Sequence, residues 1–225
     1  MFEQMKERME GLAGAPAKVD AARFGDPVAM QAEWTPITGG AAIGDRLVKV
    51  SPVRWEFRAS AWSKLAALLF MLTGVGIAAG LTYHRLSTGG LSFDKDTIGP
   101  IVIGLIFVAS GIGLLYFGSA PVVFDKGKGF FWKGRTAPDE VSGSEVLTWC
   151  ARLENVHALQ LISEYCTGHR SGSYYRYLLN LVLRDGHRLN VIAHGSRDRI
   201  RGFAGELSGF LGKPVWDAID ETRTR

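Results

Sequence analysis

Two apolar runs without a charged side chain, residues 65–83 and 98–120, stand 14 residues apart in the middle of this chain and constrain its fold more than any other feature. A helix rises about 1.5 Å per residue, so these runs of 19 and 23 residues reach roughly 28 Å and 35 Å, against a bilayer core about 30 Å thick. Neither run keeps the polar face that helices of a soluble core usually carry. The expectation is a transmembrane hairpin over residues 65–119, with helices at 65–83 and 98–120.

Lys and Arg near the ends of such helices set their orientation. Arg46, Lys49, Arg54, Arg58 and Lys64 precede the first run; Lys126, Lys128, Lys133 and Arg135 follow the second. The loop between holds only Arg85 and Lys95. Nine basic residues against two lead to the expectation that both termini lie in the cytoplasm. The first 64 residues contain no apolar core of the kind a cleavable signal needs, so the first helix is expected to act as its own insertion signal.

The net charge is +4, and the basic residues crowd the segments beside the apolar runs. Arg54, Arg58, Lys64, Lys126, Lys128 and Lys133 are therefore candidate contacts for anionic lipid. No nucleic-acid-binding motif accompanies the charge. Cys150 and Cys166 are expected as free thiols in a reducing compartment.

Residues 1–45 read as loosely organised, although Asp26-Pro27 is a good helix start, a side-chain cap followed by proline at the first helical position. Within 46–60, Val53, Trp55 and Phe57 alternate with Arg54, Glu56 and Arg58, as in a half-buried strand. Val122-Val123-Phe124 and Phe130-Phe131-Trp132 flank a glycine-bearing turn, a second hairpin signal. Both segments leave the apolar runs on the same side, which predicts that the strand before the membrane hairpin joins the sheet after it. Further strands are expected at 158–166, 174–184 and Arg188–His194, with Asp185-Gly186 as a two-residue type I′ turn. Ser196 caps a closing helix whose apolar stripe is Ile200, Phe203, Ala204, Leu207, Phe210 and Leu211. Gly212 and Pro214 end it. Gly202, Gly205 and Gly209 inside it either allow close packing or leave it marginal without its sheet.

The domain expected from residues 46–64 and 120–217 is thus an antiparallel sheet or partly open barrel closed by a C-terminal amphipathic helix, with 218–225 as a tail. That outline resembles a pleckstrin-homology-like domain. Joined to a membrane hairpin, the chain resembles bacterial membrane-anchored proteins of this architecture. The resemblance is carried by Val123-Phe124-Asp125, Gly129-Phe130-Phe131-Trp132, the run Ala158 to Glu164, the run Leu179 to Leu183 with Asp185-Gly186, and the run Leu211 to Asp217. It implies a docking surface for lipids, peptides or subunits and brings no catalytic residue with it.

Direct search for chemistry gives little. Cys150, His157, Cys166 and His169 are zinc-ligand types, but the usual Cys-x₂-Cys partner is missing. Gly212-Lys213 lacks the glycine and the Ser or Thr of a phosphate loop, because Leu207 and Pro214 stand there. Ser171 and Ser173 sit in no nucleophile elbow. His187 and His194 fall on opposite sides of one expected strand. Tyr174, Tyr175 and Tyr177, beside Arg170 and Arg176, form either a binding surface or a strand with half its rings in the core.

Gly76-x-x-x-Gly80 and Ala109-x-x-x-Gly113 are small-xxx-small motifs for helix packing, next to Gly74, Gly104, Gly111 and Gly118. Two helices need one face each, so surplus glycine suggests a third helix from a partner or a second copy. The expected function is a non-enzymatic membrane anchor or accessory subunit, without metal or cofactor. An anionic-lipid sensor and, more remotely, a Cys166 or His169 enzyme are the alternatives.

Overall fold

In the computed structural model, the described residues are 19–37, 42–43, 46–59, 61–88, 95–118, 120–138, 149–168 and 172–222. They divide into two compact units, residues 58–121 and the remainder.

The described residues of 58–121 include two helices, here α2 (Ala61–Thr88) and α3 (Lys95–Phe117). Both contain stretches long and apolar enough to cross a membrane, Lys64–Thr88 and Ile98–Tyr116. Only 11% of each stretch is buried, whereas core helices of soluble proteins are mostly buried. The helices meet where side chains vanish. A Cβ on Gly74 would lie 2.5 Å from the Gly104 carbonyl oxygen, and one on Gly104 would lie 2.6 Å from that of Gly74. Gly111 lies as closely against Met71 and the Ala67 carbonyl. Phe70 and Phe107 stack beside this seam, with centroids 5.6 Å apart.

Among the described residues, the other unit holds ten strands in two five-stranded sheets rather than a closed barrel. The first sheet orders β2 (Arg46–Ser51), β3 (Arg54–Arg58), β4 (Val122–Asp125), β5 (Phe130–Lys133) and β6 (Cys150–Arg152). Its central pair, β3 and β4, runs from Arg54↔Asp125 to Phe57↔Val122, so one sheet spans the helical insertion. The single strand expected across 46–60 is instead two strands. Pro52, which has no N–H to give a ladder, stands in the turn between them, and the Val53 N–H donates to Ser51 Oγ.

The second sheet orders β1 (Ala42–Ile43), β9 (Arg188–His194), β8 (Gly172–Leu183), β7 (Val156–Gly168) and β10 (Val215–Asp217). Its centre is an antiparallel meander; its short edge strands β1 and β10 are parallel to their neighbours and were not anticipated. The β8–β9 turn also differs from expectation. Asp185 keeps negative φ and only Gly186 (φ 83°) is left-handed. The Gly186 N–H donates to the Leu183 carbonyl and the Leu183 N–H to that of His187. This is a right-handed turn followed by an αL glycine, the three-residue solution to the same connection.

The closing helix, α4 (Arg197–Leu211), has the caps read from sequence: Ser196 Oγ accepts from the Arg199 N–H, and Gly212 adopts φ 67°. Ile200, Ala204, Leu207 and Phe210 are buried in one core with Phe57, Val122, Phe124 and Phe131 of the first sheet and Leu159, Leu161, Leu179, Leu181 and Val191 of the second. Gly202, Gly205 and Gly209 face open space, so none serves close packing.

Both faces of the second sheet are covered. Residues 19–35, expected as loose chain, form a 3₁₀ turn (Ala21–Phe24) and the short helix α1 (Pro27–Gln31), and lie across its outer face. Ala29, Ala32, Phe24, Val28 and Trp34 pack on Ala158, Val182 and Trp216. The physical reason is that β7, β8 and β9 are apolar on both faces, so their outer side needs a cover that a half-buried strand would not. The expected tail is likewise ordered in part: α5 (Ile219–Thr222) buries Ile219 and ties Thr222 Oγ1 to the Ser163 N–H at 2.7 Å.

Candidate functional site

Three amide side chains stand inside apolar strands: Gln160 on β7, Asn180 on β8 and Asn190 on β9. All are buried. They form a ladder across the sheet, Asn190 Nδ2 donating to Asn180 Oδ1 and Asn180 Nδ2 to Gln160 Oε1, each at 3.1 Å. Gln160 Nε2 then donates to the Glu33 carbonyl at 2.9 Å. Arg188, with its side chain only 7% exposed, donates to the Thr35 carbonyl (2.8 Å), Glu33 Oε2 (3.0 Å) and Gln160 Oε1 (3.3 Å). Its charge is held in place by this acceptor set, because burial works against it. The N-terminal strap is thus bound by hydrogen bonds as well as by Trp34 and Phe24. An open cleft of about 440 Å³ lies beside it, lined by Gln31, Glu33, Ile37, Asp185, Gly186, His187 and Arg188. Sequence reading passed over the ladder; its signal was three amides, each flanked by leucine inside a strand.

The residues singled out for chemistry have structural duties. His157 Nε2 lies 2.7 Å from Asp26 Oδ2, His187 pairs with Asp185 in its turn, and His194 Nδ1 accepts from the Ser196 N–H. Cys150 is buried beside Val123 and Trp132, and burial pushes its thiol pKa up. Cys166 also has a raised pKa, first from burial and then from Glu164. Both thiols stay protonated at neutral pH, the opposite of an activated nucleophile. His157 and Cys166 are nine positions apart on β7, a span of about 30 Å at strand rise, so one ion cannot bind both. His169, Arg170 and Ser171 lie outside the described residues.

The basic residues do not form one patch. Arg54 binds Glu56 (2.8 Å) and Asp125 (3.8 Å) and lies over the Trp132 ring. Lys126 sits 4.7 Å over Phe210, and Lys128 is exposed in the same turn. Lys133 is half-buried at the other end of β5, opposite Val122, and burial holds its ammonium pKa down at about 8. Arg58 is exposed at the end of β3, and Lys64 is exposed in the first turn of α2. In the hairpin, Gly74, Gly104 and Gly111 make the seam. Gly76, Gly80 and Ala109 are exposed and Gly113 is half-buried; a Cβ on Gly76, Gly80 or Gly113 would meet nothing within 4 Å.

The tyrosines occupy a feature not anticipated as such. β9 ends at His194, opposite Tyr177, and β10 ends at Asp217, opposite Leu161. β7 and β8 continue together from Glu164↔Arg176 to Gly168↔Gly172. Five further rungs make a two-stranded ribbon about 17 Å long. Among the described residues no third strand pairs with it. Arg176 holds Glu164 through two hydrogen bonds of 2.9 and 2.6 Å. The Tyr165 and Tyr175 rings meet at 5.2 Å, and Tyr165 and Tyr174 are about half exposed.

Compared with known proteins, the chain matches no family model and no curated sequence.

Proposed function

We propose that this chain is an integral anchor or accessory subunit of a bacterial inner membrane. Its termini and pleckstrin-homology-like β-domain lie on the cytoplasmic side and bind a partner at the membrane surface. The reading rests on one observation above all: α2 and α3 present apolar surface outward along nearly their whole length. Water does not tolerate a surface of that size, and lipid or another helix does. The distribution of Lys and Arg supports the orientation. The non-catalytic role draws on His157, His187, His194 and Cys150, which are engaged in an ion pair with a helix cap, in turns and in packing. Gly76 and Gly80, outside the hairpin seam, offer a place where a further helix can approach closely.

The test has two arms. Membranes containing the full-length protein are extracted with alkaline carbonate, and Gly76→Cys is oxidised in the intact membrane. Retention in the pellet and a discrete disulfide-linked product are expected. Release by carbonate overturns the membrane placement, and a protein that stays monomeric under oxidation and under amine crosslinking overturns the partner.

A further inference from the structure

The N-terminal strap lies on the second sheet as a bound peptide lies on a receptor. Its 3₁₀ turn and α1 have four and five residues, too few to hold their shape without the sheet. Past α1, residues 33–35 form neither helix nor strand and offer alternate carbonyls to the sheet, Glu33 to Gln160 Nε2 and Thr35 to Arg188. The Glu33 carboxylate, itself 78% exposed, pairs with the buried Arg188. Trp34 stacks on Phe24 at 5.2 Å and leans on Trp216 at 6.1 Å. The remaining fastenings of the strap's first turn, Arg23 to Asp217 and to Glu221, lie at the surface, where such pairs contribute little.

The face beneath the strap differs from an ordinary core. Gln160, Asn180 and Asn190 draw a polar row across it, between an apolar row through Ala158 and Val182 and another through Ile162 and Leu178. A face covered for good is served as well by aliphatic side chains, because buried polar and charged groups return little net stability. The row is also incompletely matched. Each amide donates in the direction of Gln160, so Asn190 Oδ1 ends the row as a buried acceptor with no donor. An unmet buried acceptor is costly, and the strap leaves it unmet. We propose that this face is a peptide-binding groove and that the strap is its tethered occupant, displaced by an extended segment of a partner protein. The segment that fits carries an acidic residue directly before an aromatic one, as Glu33-Trp34 does. The acid meets Arg188, the ring meets Trp216, alternate main-chain carbonyls meet Gln160 and Arg188, and an added N–H reaches Asn190 Oδ1. The proposal uses contacts within the β-domain alone and goes beyond the anchor reading, which is tested separately.

The test uses the full chain in detergent micelles and a dye-labelled peptide, Met-Gln-Ala-Glu-Trp-Thr-Pro-Ile, which matches residues 30–37. A second peptide has alanine in place of its Glu and Trp. Fluorescence anisotropy compares binding to the unaltered chain and to a Glu33→Ala, Trp34→Ala variant, with slow thiol labelling of buried Cys150 as the sign of an intact domain. The first peptide should bind the variant at least about tenfold more tightly, because its strap no longer competes for the groove; the alanine peptide should bind neither. The other arm needs no variant: excess first peptide should speed tryptic cleavage after Arg23 of the unaltered chain, and the alanine peptide should not. Equal binding to both chains overturns the proposal, since the peptide then sits elsewhere. No binding to an intact variant, or cleavage unmoved by the peptide, overturns the groove. Acceleration by both peptides alike overturns its selectivity. A dimer of the unaltered chain that excess peptide splits into monomers puts a second copy's strap in the groove and overturns the partner.

Discussion

Asp26 and His157 are joined at 2.7 Å, Oδ2 to Nε2, so the residue that caps α1 also fastens the N-terminal strap to β7. The Asp26 carboxyl lies below its ordinary pKa of 3.8. Burial pushes it up, but the His157 hydrogen bond, the Val28 and Ala29 N–H groups and the His157 charge together outweigh burial. A carboxylate whose pKa falls on folding stabilises the fold above its unfolded value and loses that contribution as pH drops through its folded one. Asp26→Ala should cost about 1–2 kcal/mol at pH 7, the usual range for a lost cap, and flatten the acid limb below about pH 4. Asp26→Asn should retain the cap and lose only the acid dependence. Thermal unfolding against pH, with tryptic cleavage after Arg23 as a local readout, checks both.

Lys133 also has its pKa lowered on folding, but here because burial disfavours its charged form. Its pKa is near 8 in the fold and 10.5 when free, so the unfolded chain holds the extra proton between those values. Stability should therefore rise as pH goes from about 8 to 10.5. Lys133→Met removes the charge that burial opposes and keeps the aliphatic stem. It should raise the unfolding temperature at pH 7 by a few degrees and abolish the alkaline gain. An unchanged slope between pH 8 and 10 would show that another group carries it.

The glycines of α4 separate by position. Gly202 and Gly205 are exposed and a Cβ there meets nothing within 4 Å, so either change to alanine should add up to about 1 kcal/mol. Gly212 adopts φ 67° at the C-cap, and Gly212→Ala should remove about 1 kcal/mol or more although it too has open space around it. Chemical denaturation of the three variants distinguishes backbone conformation from steric room.

In the hairpin, Gly74→Val drives a side chain into the Gly104 carbonyl and should open the α2–α3 seam, seen as lost heat resistance in detergent. Gly76→Val meets no atom of the hairpin and should leave that stability unchanged. Its effect, if the proposed association uses this face, appears only as weakened crosslinking to a neighbour. Equal destabilisation by both changes would contradict the seam described here.

The strands and caps were legible where side-chain spacing acts locally. Leu179, Leu181 and Leu183 reach the core as their alternation implied, and Ser196 and Gly212 bracket α4 as read. What the residues did not announce depends on partners distant in the chain. Phe24, Ala29 and Trp34 look unremarkable in a glycine- and proline-rich stretch, and acquire their role only because Ala158, Val182 and Trp216 present an apolar outer face. The amide ladder joins residues from three strands, and no one strand reveals it. The seam of the hairpin was not legible for the same reason: Gly76 and Gly80 have a packing motif's spacing, but spacing along one helix does not say which face the other helix takes, and the seam runs through Gly74, Gly104 and Gly111. The β7–β8 ribbon was partly visible as a tyrosine cluster. That it projects beyond its sheet follows from where β9 and β10 stop.

The sheet that spans the insertion has a consequence for biogenesis. β3 leaves the ribosome before α2, yet its hydrogen-bonding neighbour β4 is made only after α3, 64 residues later (58–121 inclusive). Until then β3 has only β2 beside it and must wait with its other edge open and Trp55 and Phe57 uncovered. Completion of the sheet is thus chronologically tied to completion of the hairpin. A chain stalled or mis-inserted at the helices would carry an open, sticky strand, a signal that quality-control proteases could read.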